Sequence, residues 1–132
     1  MHNLKQLKIW QLSIELADCV YNATEHFPST ETYGLRDQMR RAAVSVGSNI
    51  AEGAGRNSPK EFEHFIGIAN GSLNELIFQF ELCKRRNLVR IEQHLEIEEK
   101  IDHLLRMNYQ FKLQLKKSQV ASHNSQIVHR KS

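Results

Sequence analysis

Apolar residues recur along most of this chain at intervals of three and four, the spacing that places them on one side of an α-helix. Between about Lys5 and Glu25 the row passes through Ile9, Trp10, Leu16, Ala17, Val20 and Tyr21. From about Thr30 to Gly53 it passes through Leu35, Met39, Ala42, Val46 and Ile50. A third row, Phe62, Phe65, Ala69, Ser72, Leu76, Gln79 and Cys83, predicts a helix ending near Arg86. After "NLVR" a fourth carries Ile97, Ile101, Leu104, Asn108, Phe111 and Leu115. No segment alternates with period two, so no strand is predicted.

The breaks are as informative as the repeats. Pro28 and Pro59 are the only prolines, and both fall between rows. In "GRNSPKE" Ser58 is placed to cap a helix, Pro59 to occupy its first turn and Glu61 to complete a capping box. Gly53 and Gly55 precede it, and glycine ends helices by taking left-handed angles cheaply. Short connections make neighbouring helices antiparallel. The expectation is an all-α, antiparallel up-down-up-down four-helix bundle over residues 1–117. From Ser118 onward, "SQVASHNSQIVHRKS" has few large apolar residues and no period, which predicts a disordered basic tail over 118–132.

Length sharpens this picture, and charge corrects a first impression. A chain of 132 residues supports one sizeable core. No apolar run approaches a membrane span, and "MHNLKQLKIW" lacks the apolar stretch of a signal peptide. Cys19 and Cys83 stand alone, as reduced thiols of a cytoplasmic protein would. The pI near 9.0 suggests nucleic acid, yet Lys116, Lys117, Arg130 and Lys131 account for four of the 18 basic residues. Residues 1–115 hold the other 14 against 15 acids, a net of −1. The body is neutral and the excess lies in the tail.

Helices apolar on two sides imply a second buried surface. Val44, Ala43, Gly47 and Ala51 lie off the inward row of the second helix. Gly67, Gly71, Ile68, Ile77, Phe78 and Leu82 lie off that of the third, and Leu12 and Ile14 off that of the first. A single bundle buries one side of each helix, so self-association is expected.

Candidate chemistry is sparse. "GAGRNS" resembles a phosphate cradle but lacks the Gly-Lys-Ser/Thr run and the preceding strand, and reads as a turn. A di-iron bundle needs two Glu-x-x-His pairs; Glu61 and His64 form one and no second exists. His94, Glu98 and Asp102 share a helical face, read here as solvated. His2, His123 and His129 fall near the ends. No metal, cofactor, small-molecule substrate or catalytic residue is expected. Lys84, Arg85, Arg86 and Arg90 are four bases in seven residues, which fits either a charged helix end or a nucleic-acid contact. Arg41, Ser48, Asn49 and Glu52, with Glu75 and Gln79, form a polar flank read as a buried network or an oligomer contact. On that reading, removing Glu52 costs about 1–3 kcal/mol.

The segments "WQLSIELADCVY", "YGLRDQMRRAAVSVGSNIAEGAGR", "SPKEFEHFIGIANGSLNEL" and "HLLRMNYQFKLQL" resemble the four-helix-bundle proteins encoded in intervening sequences of 23S ribosomal RNA genes. The likeness covers about residues 5–115. The matching hallmark residues are Arg40, Arg41, Ser48, Asn49, Glu52, Gly53, Arg56 and Glu75; Gly47 departs from a common proline. The resemblance implies a homopentameric ring with RNA or DNA as its partner. It also implies kinship to the accessory variability proteins of retroelements, and it assigns no catalytic residue. Two readings stand: an oligomer that binds nucleic acid or a nucleic-acid enzyme, and a structural adaptor with a protein partner.

Overall fold

The computed structural model describes residues 3–131, without the side chains at 32, 122, 123 and 126–131. His2 and the side chains of His123, His129, Arg130 and Lys131 therefore lie outside the described residues. A short 3-10 turn, Leu4–Gln6, leads into α1, Lys8–Thr24. There follow α2, Asp37–Ala54, α3, Pro59–Arg85, and α4, Ile91–Lys131. No strand occurs among the described residues.

Each helix packs on the next, and α1 also packs on α4, which closes a four-helix bundle. Residue pairs across each contact run in opposite senses. Arg40 meets Thr24 while Gly47 meets Ser13 on α1 and α2. Met39 meets Cys83 while Ser45 meets Ser72 on α2 and α3. Asn70 meets Asn108 while Glu63 meets Lys116 on α3 and α4. The helices therefore alternate in direction, as the short connections require.

The core is the expected one with a small rotation of α3. Leu16, Val20, Met39, Val46, Ile50, Ile97, Ile101 and Leu104 are fully buried. On α3 the buried row is Phe62, Ile66, Ala69, Leu73, Leu76, Phe80 and Cys83, while Phe65 and Ser72 are half-buried. Both rows alternate threes and fours, but the one drawn through Phe65 and Ser72 leans toward α2, where Ser72 meets Ser45. On α1, Tyr21 is exposed, and Ser13, Ala23 and Thr24 are buried instead.

Three boundaries differ from the sequence expectation. Regular α2 begins at Asp37 and not near Thr30, because Gly34 takes φ −101° and ψ −106°, outside the helical region. No glycine has positive φ, and Gly55 ends α2 at φ −82° and ψ −5°. The need at Gly53 is for space: a Cβ there would stand 2.6 Å from Cδ1 of Phe62. The left-handed residue is Asn87, at φ 57°, after α3. Its N–H donates to the Lys84 carbonyl and the Leu88 N–H to the Cys83 carbonyl, at 3.2 and 2.9 Å. That bonding satisfies the last carbonyls of α3 and reverses the chain sharply.

The third difference is the end of α4. It continues as helix to Lys131, where a disordered segment from Ser118 was expected. No glycine or proline occurs within α4, so the strongest helix breakers are absent from its whole length. Packing does stop: no described side chain beyond Leu115 is buried. The bundle ends there and the helix runs past it.

Candidate functional site

Lys84 and Arg85 end α3, Arg86 and Arg90 flank the turn into α4, and all four are exposed. Arg85 Nε lies 3.3 Å from Glu81 Oε1 one turn back, an exposed pair worth a few tenths of a kcal/mol, about 0.3–0.5. No ion pair among the described residues engages Lys84, Arg86 or Arg90. The turn is held from both ends. Asn87 locks the α3 side, and Gln93 Oε1 accepts the Arg90 backbone N–H at 3.4 Å on the α4 side. Beside it an open recess of ≈ 550 Å³ extends to Asn22 and His26. Exposed cations on a fixed turn, of which Arg90 also lines the recess, suit a diffuse anion such as a phosphate backbone.

The polar flank is divided between the inside and the outside of the chain. Ser72 Oγ donates to Ser45 Oγ at 2.9 Å, and Asn49 Nδ2 donates to the Ser45 carbonyl and Oγ at 2.8 and 3.1 Å. The Ser72–Ser45 bond ties α3 to α2, and Asn49 supports Ser45 from within α2. Gln79 is buried, and its Oε1 has no hydrogen-bond partner. Arg41, Ser48, Glu52 and Glu75 are exposed, so they form no buried network within one chain. Arg41 and Glu75 line the outer edge of the α2–α3 seam, whereas Ser48 lines a recess beside Tyr21 of α1. Glu52 instead accepts from Arg56 at 2.7 Å, and the Arg56 guanidinium lies 5.0 Å from the Phe65 ring centre. Arg56 is thereby committed to its own helix end and leaves "GAGRNS" a plain turn, with Ser58 Oγ accepting from the Glu61 N–H at 3.3 Å.

Two features carried little sequence signal. Arg40 clamps the end of α1: Nε donates to Thr24 Oγ1 at 2.9 Å, an Nη donates to the Tyr21 carbonyl at 3.2 Å, and the guanidinium lies 4.5 Å from the Tyr21 ring centre. His94 is buried and not solvated; Nε2 lies 3.5 Å from Glu98 Oε2 and Nδ1 has no partner. The sequence row began at Ile97, so His94 was placed outside the core by one turn. Asp102 and Glu61 are exposed. Among the described residues no group of three or more His, Cys, Asp or Glu is placed to hold a metal ion. No described helix is long and apolar enough to cross a membrane. Burial pushes the Cys83 thiol up to about 12, and burial followed by the Glu96 carboxylate raises Cys19.

The family model for 23S rRNA-intervening sequence proteins matches residues 5–110. The chain belongs to this family. That span takes in the whole bundle up to α4 and both candidate clusters, and it stops short of the helical extension. Among solved structures, the chain is similar to a crystallised protein of unknown function from the S23 ribosomal protein family of Bacteroides thetaiotaomicron VPI-5482. The TM-score is 0.73 at 22% identity, over 79% of this chain and 97% of that one. The likeness is one of fold. No curated protein matches the sequence.

Proposed function

We propose that this 23S rRNA-intervening sequence protein is a non-enzymatic homo-oligomer that binds nucleic acid through the turn between α3 and α4. The observation that carries this reading is the exposed set Lys84, Arg85, Arg86 and Arg90 gathered at one hydrogen-bonded turn. One neutral bundle presents too few cations for useful affinity, since each phosphate contact contributes only a small increment. Several copies on one scaffold repeat the set and gain avidity without any new contact. The family likeness suggests five. The exposed apolar side chains Val44, Ile68, Phe78 and Leu82 support association.

The same apolar surface also favours an adaptor that docks a protein and no nucleic acid. Filter retention at low salt, with structured and single-stranded RNA, separates the two. Retention by the intact protein supports the first reading. Retention of neither RNA leaves the adaptor.

A further inference from the structure

Resting on the oligomeric reading, we propose that the outer stripe of α4 in one copy seats in the groove between α2 and α3 of the next.

The stripe is a second apolar row on α4. Ile91, Leu95, Tyr109 and Leu113 are 51%, 57%, 64% and 41% exposed. At about 100° per residue they fall within about 40° of one another, well away from the buried row of Ile97, Ile101, Leu104 and Asn108. A solvated helix face does not gather four large apolar side chains on one line. Midway along it stand Asp102 and Arg106, exposed and without an ion pair among the described residues.

The groove is the complement. It is open, ≈ 660 Å³, and lined by Arg41, Glu75, Phe78, Gln79 and Leu82 among others. Arg41 and Glu75 likewise have no ion pair among the described residues. Gln79 adds a buried acceptor with no donor. Below it α3 exposes Ile68 and Gly71, and nothing stands within 4 Å of a Cβ built on Gly71.

Heights along the bundle make the match specific. In a ring whose axis runs along the helices, neighbouring copies sit at equal height, so paired residues must be level within one molecule. The Asn70–Asn108 and Ser45–Ser72 contacts set the scale. Counting from them, Leu82 is level with Leu95 to within about one residue, and Ile68 with Tyr109 to within about one, near 1.5 Å each. Arg41 is level with Asp102. Glu75 falls about three residues from Arg106, about 4.5 Å, within reach of an arginine. Apolar meets apolar at both ends, and opposite charges meet twice in the middle. Groove and stripe are different surfaces, so each copy uses one on each side and the contact is heterologous. Repeated by a rotation that divides the full circle, such a contact closes a ring.

The test is a charge swap read by light scattering, with circular dichroism confirming that each variant keeps its helix content. Arg41→Asp and Asp102→Arg, each alone, are expected to reduce the mass toward the 15.4 kDa of one chain. Combining them restores the wild-type mass. Glu75→Arg and Arg106→Glu repeat the logic independently. A wild-type monomer overturns the oligomeric reading itself. A wild-type oligomer that survives every single reversal, or whose reversals are not rescued in pairs, overturns this interface and leaves the oligomer standing.

Discussion

Asn108 of α4 donates from Nδ2 to Oδ1 of Asn70 on α3 at 2.9 Å, and Asn108 is fully buried. It sits in a row of otherwise apolar residues, between Leu104 and Leu115. A polar pair inside a core contributes register more than stability, since only one height of α4 against α3 satisfies it. Asn70→Ala leaves the Asn108 amide without its acceptor and is expected to destabilise by about 1–3 kcal/mol. The double change to leucine removes both polar groups and is expected to recover much of that loss. Urea unfolding of the three proteins checks the order.

Gly53 and Gly55 look alike in sequence and differ in place. A Cβ at Gly53 would lie 2.6 Å from Phe62 and 3.0 Å from the Phe65 Cβ, whereas at Gly55 it meets nothing nearer than 3.6 Å. Phe62 is fully buried and cannot swing aside. Gly53→Ala is expected to lower stability by about 1–3 kcal/mol through overpacking. Gly55→Ala, at a backbone conformation any residue adopts, is expected to be neutral or slightly stabilising. Thermal midpoints distinguish them.

Glu52 is exposed and paired with Arg56 one turn away. Such a pair contributes about 0.3–0.5 kcal/mol. Glu52→Ala is therefore expected to change the unfolding free energy by less than about 1 kcal/mol, well below the cost that a buried network implies. A larger loss in chemical denaturation would place Glu52 in an interface between copies.

The buried Cys83 thiol, raised from 9.0 to about 12, favours the neutral form in the folded chain. The unfolded chain releases this proton first as pH rises. Its contribution to stability is thus intact below pH 9.0 and is lost progressively toward pH 12. At pH 8 a thiol reagent is expected to modify half-buried Cys19 before Cys83, with Cys83 reacting only on unfolding. Mass spectrometry of timed digests reads the order.

Much of the bundle was legible because three-and-four spacing, Pro28, Pro59 and the Ser58 cap all reported on local structure. What was missed depends on neighbours. The α3 row through Phe65 and Ser72 is as regular as the true one, and only the position of α2 decides between them. Asn70 is an ordinary polar residue until Asn108 arrives from α4. His94 lies one turn before the first aliphatic residue of its row. The basic cluster was visible as four residues, but its rigidity comes from Asn87, whose left-handed angle has a weaker signature than glycine. The polar flank was recognised as a group and misjudged in depth, because wheel angles give direction and not distance from solvent.

The measurement that bears most directly on the central claim is RNA affinity across a salt series. The logarithm of the binding constant for single strands should fall with that of the salt concentration, with a slope of about −0.7 for each phosphate contact. Binding by the intact protein is expected to be steep and indifferent to base sequence. Arg85→Ala with Arg86→Ala is expected to weaken binding and flatten the slope more than removal of residues 118–132. Affinity insensitive to salt, or lost with the extension and untouched by Arg85 and Arg86, would contradict the assignment of binding to the turn between α3 and α4.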